Sequence, residues 1–420
     1  MHGCELSMGD CSGGQDTERS PVTTLSTDQD QLLVAVVALG HRLDDSRVVH
    51  AEARTLAPHY RVHVFAKPTA KVTPWLEGVE LHSIGNGGPV GVCDLIRTVA
   101  RVLQMRAVLV HCHDVRSWVV GCLVKMLKRR TKVVCDVHEL YWSFDAWKSR
   151  DTLLLRLLHW LVHRVVARFL VDGYALVVPQ QRTFYGRHGQ PNVVLFNYPR
   201  CVGDELMNGR VAAPHALPLT MVYAGGLRLS AGLVRYLEIT KELLIRGVDP
   251  RLLLVGWWED ACTEQRFRDS AASLGLADRI CVKPTVSRGE LGRLLRGTSV
   301  GLCLMASSPN NDYGLSRKML EYMACGVPTL GSRNLANFRE LVEARGCGLA
   351  VDYDDTGAAA DAVMALVADH ELFVARCLSV SPEYCWESQE WKLLQLYAQL
   401  LRNEPCPAHG HRGSDCHLSD

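Results

Sequence analysis

The segment Asn310-Asn311-Asp312-Tyr313-Gly314-Leu315-Ser316-Arg317-Lys318-Met319-Leu320-Glu321-Tyr322-Met323-Ala324-Cys325-Gly326-Val327-Pro328 gathers side chains suited to holding a phosphorylated ligand. A polar, glycine-containing loop leads into a helix at about Ser316, and Gly326 stops that helix. Unsatisfied backbone N–H groups at such a helix start attract phosphate oxygens, and the helix dipole adds to the attraction. Lys318 in the first turn brings positive charge, and Glu321 one turn later offers a carboxylate to ribose hydroxyls. Taken alone, the same residues also describe an ordinary capped helix with a solvated Lys and Glu. A second constellation lies earlier, in Val110-His111-Cys112-His113-Asp114 and Cys135-Asp136-Val137-His138-Glu139-Leu140-Tyr141. A lone His after a strand is, by itself, more often a hydrogen-bonded structural residue.

Positioning these groups falls to two series of alternating strands and helices. Short apolar runs at 32–39, 61–66, 107–112, 132–137, 175–178 and 193–196 read as strands buried on both faces of a parallel sheet. Helical stretches at 48–57, 94–104, 115–127 and 152–170 separate them. The second series has strands at 219–224, 251–255, 279–282, 300–305, 327–330 and 348–351, with helices at 233–246, 264–274, 288–296, 317–324 and 356–366. Such alternation predicts an α/β fold with two doubly wound, Rossmann-like domains. The domains read as 31–200 and 219–385, joined by a Pro- and Gly-rich linker at 201–218. Residues 1–30 read as a disordered tail, 386–402 as a helix packing back on the first domain, and 403–420 as a flexible tail. Two facing open sheets leave a cleft at their carboxyl ends, where ligands bind.

Composition and missing motifs narrow the chemistry. The 420 residues carry 46 Lys+Arg against 45 Asp+Glu, a formal net charge of +1, so nothing announces a nucleic-acid partner. After the first strand the chain reads Gly40-His41-Arg42-Leu43-Asp44-Asp45 rather than G-x-G-x-x-G, which removes the main support for a dehydrogenase-type dinucleotide site. No G-x-x-x-x-G-K-[ST] sequence occurs, which argues against a P-loop phosphotransferase.

The segment around Glu321 resembles the donor-binding signature of family-4 retaining glycosyltransferases of GT-B fold. Those enzymes carry an E-x7-E pattern and a helix of the type K-x-x-E-Y-M-A-x-G-x-P. Lys318, Glu321, Tyr322, Met323, Ala324, Gly326 and Pro328 match, with Tyr313 standing where the first acid falls. Other motifs are similar in the same order: Asp45-Ser46-Arg47-Val48 after the first strand, the His111–Asp114 and Asp136–Tyr141 motifs, Val194–Pro199 before the linker, and Val222–Leu227 opening the second domain. Leu253–Gly256 and Cys347–Val351 complete the series, and the resemblance runs from about residue 33 to 400.

The resemblance implies a hexosyltransferase that moves a sugar from a nucleotide-diphosphate donor to a hydroxyl acceptor (glycan, lipid or small molecule) with retention; the lack of an apolar run of about 18–20 residues and of a signal-like N-terminus adds the expectation of a cytoplasmic location. No metal and no other cofactor is expected. His138 takes the catalytic position; Glu321, Lys318, Ser316, Leu315, Tyr313, Arg228 and Gly226 take the donor positions; Gly40, Asp45, Arg47, His113 and Asp114 line the acceptor side or cleft. Ala231 stands where a basic residue is usual, and Trp257-Trp258 where small residues are frequent. These departures keep an inactive GT-B binding protein in view, with a sugar-nucleotide epimerase or a phosphorylase as further readings.

The remaining features have bland readings. The 16 Cys form no CxxC pair, and with no signal-like N-terminus they read as reduced, mostly buried thiols. His409, His411, Cys416 and His417 read as a solvated tail rather than a zinc site. Tyr141, Trp142, Phe144 and Trp147 read as packing of a lid helix before sugar stacking. The basic amphipathic stretch 152–170 reads as a buried helix with a wet edge before peripheral membrane contact.

Overall fold

The computed structural model describes residues 31–69, 78–88, 90–139, 167–203, 205–207 and 219–402, with positions 157, 160 and 161. The two tails, the aromatic cluster at 141–147 and most of the 152–170 stretch and of the linker lie outside the described residues.

Seven strands make the first sheet: β1 (Leu33–Arg42), β2 (Arg61–Lys67), β3 (Val79–Ser83), β4 (Leu109–Cys112), β5 (Lys132–Val137), β6 (Gly173–Leu176) and β7 (Asn192–Val194), in the order β3-β2-β1-β4-β5-β6-β7. Six make the second: β8 (Thr220–Leu227), β9 (Arg251–Trp258), β10 (Ile280–Lys283), β11 (Val300–Cys303), β12 (Thr329–Ser332) and β13 (Gly348–Val351), in the order β10-β9-β8-β11-β12-β13. Neighbouring strands are parallel throughout, from β1 against β2 and β4 to β12 against β13. Parallel pairing sends every strand's carboxyl end to one edge, so each sheet presents its loops on a single side.

Both faces of the first sheet are covered at its centre, which is why the central strands are mostly apolar. Helices α1 (Val92–Gln104) and α2 (Val115–Leu127) cover one face, where Leu39, Phe65, Val110 and Trp118 are buried together. Asp114 starts α2 by accepting the Arg116 and Ser117 N–H groups, each at 3.0 Å. The opposite face packs the helical stretch Val48–Ala53 and the C-terminal helix Glu390–Leu401, joining Val34, Val36, Val134, Trp386, Leu396 and Tyr397. The Gln389 amide bridges back to Phe196, donating to its carbonyl at 2.6 Å and accepting its N–H at 3.0 Å.

In the second domain, the helix Arg317–Ala324 is seated by Tyr322. Its ring lies over Gly301, where any Cβ would collide with it, and its hydroxyl accepts the Ala224 N–H at 2.8 Å. β8 and β9 approach so closely at Gly225 and Gly256 that a Cβ on Gly256 would overlap the Gly225 carbonyl.

Several features differ from the sequence expectations. β3 was not among the expected strands, because Val79-Glu80-Leu81-His82-Ser83 is a half-polar sheet edge rather than an apolar run. The helix His370–Val380 was likewise not expected. Cys201 and Cys385 form a disulfide, with Cα atoms 5.7 Å apart, correcting the expectation of reduced thiols at this pair. They lie 184 residues apart, beyond any local spacing rule. Cys112, Cys122, Cys135, Cys303, Cys325, Cys347 and Cys377 are free and buried, whereas Cys93, Cys262 and Cys281 are free and exposed.

Candidate functional site

The carboxyl ends of the two sheets meet across a cavity of about 270 Å³. The first domain contributes His138, Glu139 and Gln181 to its wall; the second contributes Met305, Asn310, Gly314, Leu315 and Ser316. Leu315 and Ser316 stand immediately before the helix Arg317–Ala324, so that helix start opens on the same space as His138.

Glu321 lies in an adjoining recess of about 140 Å³, lined also by Gly225, Gly256, Trp257, Thr285 and Val286. Its Oε1 accepts from Arg317 Nε at 3.0 Å and from Arg288 Nη1 at 3.1 Å. The Lys318 ammonium sits 4.9 Å from the centre of the Tyr223 ring. Burial disfavours its charge, but Tyr223, Cys303 and Glu321 outweigh that and raise its pKa above the ordinary lysine value. Lys318 is therefore a cation at neutral pH. Gly226 lies beside the Arg228 guanidinium and the Trp257 ring, and its carbonyl accepts the Tyr223 hydroxyl at 3.0 Å. Arg228 faces Glu259 at 3.7 Å. Tyr313 ends the short helix Pro309–Tyr313 with its side chain exposed, and its carbonyl accepts from the Asn337 amide.

On the first domain, His138 follows β5 and sits above a buried stack. Its Nε2 lies 3.1 Å from His113 Nδ1, and His113 Nε2 lies 3.5 Å from Glu52 Oε2. Below them His111 Nδ1 meets the Tyr397 hydroxyl at 2.9 Å, so the C-terminal helix supports the floor of the first domain's half of the cleft. Arg47 lies between two carboxyls, with Nε 2.8 Å from Glu52 and Nη2 3.0 Å from Asp136, and donates to the Leu195 carbonyl at 2.9 Å.

The charges in this cluster separate. Burial alone would raise Asp136, but the Arg47 guanidinium holds it below the usual carboxylate range. Burial, with the Asp136 charge beside it, pushes Glu52 well above that range, so Glu52 keeps its proton. One guanidinium thus balances one carboxylate. Burial also drives the imidazoles neutral: His111 and His138 fall to about 4, and His113 falls well below its ordinary value. His41 behaves differently. Its burial is outweighed by Asp45, 3.0 Å away, and its pKa rises.

Glu52, His111, His113 and Asp136 offer ligand atoms within 4.8 Å of one another, the spacing of a metal cage. Arg47 already supplies the positive charge there, and all four side chains are sealed from solvent. These residues fit an ion pair better than a cation site.

Two expected cleft residues need correction. Arg47 and His113 lie beneath the cleft floor and are buried, the first tied to Glu52 and Asp136 and the second behind His138. They reach a cleft ligand only through His138 or the loops they hold. Asp45 accepts the Arg47 and Val48 N–H groups at 2.8 and 2.9 Å and pairs with His41. Asp114 accepts the Gly40 N–H at 2.7 Å beside starting α2, which places both residues at a separate recess with Lys67 and Arg116. Sequence reasoning passed over Glu52, Arg288, Tyr397 and His41. Glu52 sat inside an amphipathic stretch with no motif around it, and Tyr397 is 286 residues from its partner His111. His41, directly after Gly40, was the one with a readable signal, four residues before Asp45.

Residues 214–375 match the sequence family described as Glycosyl transferases group 1. The GDP-mannose:cellobiosyl-diphosphopolyprenol alpha-mannosyltransferase of Xanthomonas oryzae pv. oryzae is 28% identical over 187 residues, 43% of this chain and 47% of that protein. The N-acetyl-alpha-D-glucosaminyl L-malate synthase of Bacillus anthracis is 30% identical over 129 residues, 31% of each chain. The matched region thus spans about half the length of the mannosyltransferase and a third of the synthase. Among solved structures, sucrose-phosphate synthase from Thermosynechococcus elongatus superposes with a TM-score of 0.69 at 16% identity, covering 89% of this chain and all of that one. Anabaena HepE in complex with UDP-glucose gives 0.67 at 13%, covering 88% of this chain and 100% of that one. Two facing parallel sheets, their shared cleft and these likenesses agree: the chain has the GT-B fold, and residues 214–375 of its second domain match the glycosyl transferases group 1 family.

Proposed function

We propose that this protein transfers a sugar from a nucleotide-diphosphate sugar to a hydroxyl acceptor, with retention at the anomeric carbon and without a metal ion. The reading is carried by the cavity in which His138 of the first domain faces the Leu315–Ser316 helix start of the second. Helix N–H groups and the charged Lys318 hold the diphosphate in place of a cation. The Glu321 carboxylate takes the ribose hydroxyls, and the recess between Gly225, Trp257 and Thr285 takes the base. The donor's anomeric C–O bond breaks as the acceptor oxygen bonds on the same face, and the acceptor's proton passes to a phosphate oxygen of the leaving diphosphate. Neutral His138, oriented by His113, donates a hydrogen bond to the reacting sugar or acceptor.

A thermal-shift panel of UDP-, GDP-, ADP- and TDP-sugars identifies the donor, because a ligand of the folded state raises the melting temperature. Turnover of that donor persists in EDTA; a requirement for added Mg²⁺ overturns the metal-free mechanism. The second reading, a nucleotide-sugar-binding protein without turnover, draws on the two arginines that already hold Glu321 and on Ala231 and Tyr313. Calorimetry that finds donor binding in a preparation without turnover selects it.

A further inference from the structure

A second cluster of metal-ligating side chains stands apart from the cleft motifs, on the outer edge of the first sheet. The β2–β3 register sets His63 opposite Glu80 and Phe65 opposite His82. Because strand side chains alternate with a period of two, all four project from one face. His63 Nδ1 lies 2.9 Å from His82 Nε2 and 3.3 Å from Glu80 Oε2, and His82 Nε2 lies 4.0 Å from Glu80 Oε1. Zinc bonds of about 2.0–2.2 Å at tetrahedral angles separate ligand atoms by roughly 3.3–3.6 Å, which these three distances bracket. The Phe65 ring stacks on His82 with centroids 4.6 Å apart and holds it in place. His63 is buried, whereas the Glu80 side chain is 54% exposed, so the cluster has a closed back and an open front for an ion and its water.

We propose that His63, Glu80 and His82 bind one divalent transition-metal ion of zinc type, with water in the open position, clipping edge strand β3 to β2. Burial lowers the pKa of both imidazoles, leaving neutral rings whose lone pairs are available at pH 7. When the ion binds, the hydrogen shared between the two nitrogens moves to the far nitrogen of its own ring; protonation of either ring competes with the ion, so affinity falls as the pH is lowered. Arg61, 3.6 Å from Glu80, and the Arg101 charge near His82 work against the ion and moderate its affinity.

The test uses the full chain, stripped with chelator and titrated with Zn²⁺, and with Co²⁺ as the optical probe. The wild type is expected to bind one equivalent more than His82→Ala, and Zn²⁺ to raise its melting temperature more than the variant's. Glu80→Gln keeps both imidazoles at an exposed position and decides the matter if His82→Ala fails to fold. Losing a carboxylate ligand is expected to weaken this site about tenfold or more. Equal stoichiometry and affinity in the wild type and Glu80→Gln overturn the proposal and place any bound zinc elsewhere.

Discussion

Arg317 and Glu321 stand one helical turn apart and pair at 3.0 Å, and Arg317 also donates to Ser46 on the facing domain. The carboxylate proposed to hold the ribose is therefore tied, through one guanidinium, to the loop that carries Asp45 and Arg47 in the first domain. Arg288 holds the same oxygen from another side at 3.1 Å.

Glu321→Gln is expected to weaken donor binding by about 1–3 kcal/mol, the scale of a lost charged hydrogen bond. Calorimetry on a folded variant measures it. Unchanged donor affinity removes Glu321 from the ribose role.

His138→Ala is expected to lower turnover roughly a hundredfold or more, in the range of a positioned catalytic group. Donor affinity changes far less, because Ser316, Lys318 and Glu321 belong to the other domain. Turnover and affinity are read on one preparation. Near-normal turnover ends the catalytic role, and equal losses in both make His138 a general binding residue.

Acid should destabilise the protein well before ordinary carboxylate titration. His111 and His138 titrate at about 4 when folded, against about 6.5 when unfolded, so the unfolded chain binds more protons between those values. Their stability is complete above about pH 6.5 and is lost as the pH falls toward 4. The loss is on the order of a few kcal/mol. Asp136, held low, adds its own loss at still lower pH. Glu52 and His41 are raised and act in the opposite sense, losing their contributions as the pH climbs through their folded values. Melting curves from pH 7.5 to 4.5, followed by circular dichroism, are expected to show a falling midpoint; a flat profile contradicts the neutral histidine stack.

Arg47→Met is expected to cost about 3–5 kcal/mol, because it leaves the Asp136 carboxylate buried without its counter-charge. Adding Asp136→Asn recovers part of that loss, since the unpaired charge is then gone. Chemical denaturation of the single and double variants measures the coupling, and purely additive losses contradict the pairing.

Much of this architecture is local physics and was therefore readable from residue order. Helices at Val115–Leu127, Arg288–Arg296 and Arg317–Ala324 coincide with their expected bounds, because apolar spacing and nearby stop signals act within a few residues. Continuous apolar runs announced strands covered on both faces, and the alternation announced parallel sheets. The segment from Tyr313 to Pro328 likewise carries its own loop, helix start and stop.

Which groups share a space was decided only by the tertiary structure. Arg47 reads as a cleft cation in the chain, yet strand order and the C-terminal helix close over it and pair it with Asp136, 89 residues away. His113, expected to line the cleft or its floor, ends beneath His138, because β4 and β5 are neighbours and solvent is shut out below their ends. The Arg317–Ser46 contact, the Cys201–Cys385 bond and the His63–Glu80–His82 cluster arise in the same way. Periodicity fixes which way a side chain points along its own element; its partners depend on how distant elements exclude water together, and residue order records that only indirectly.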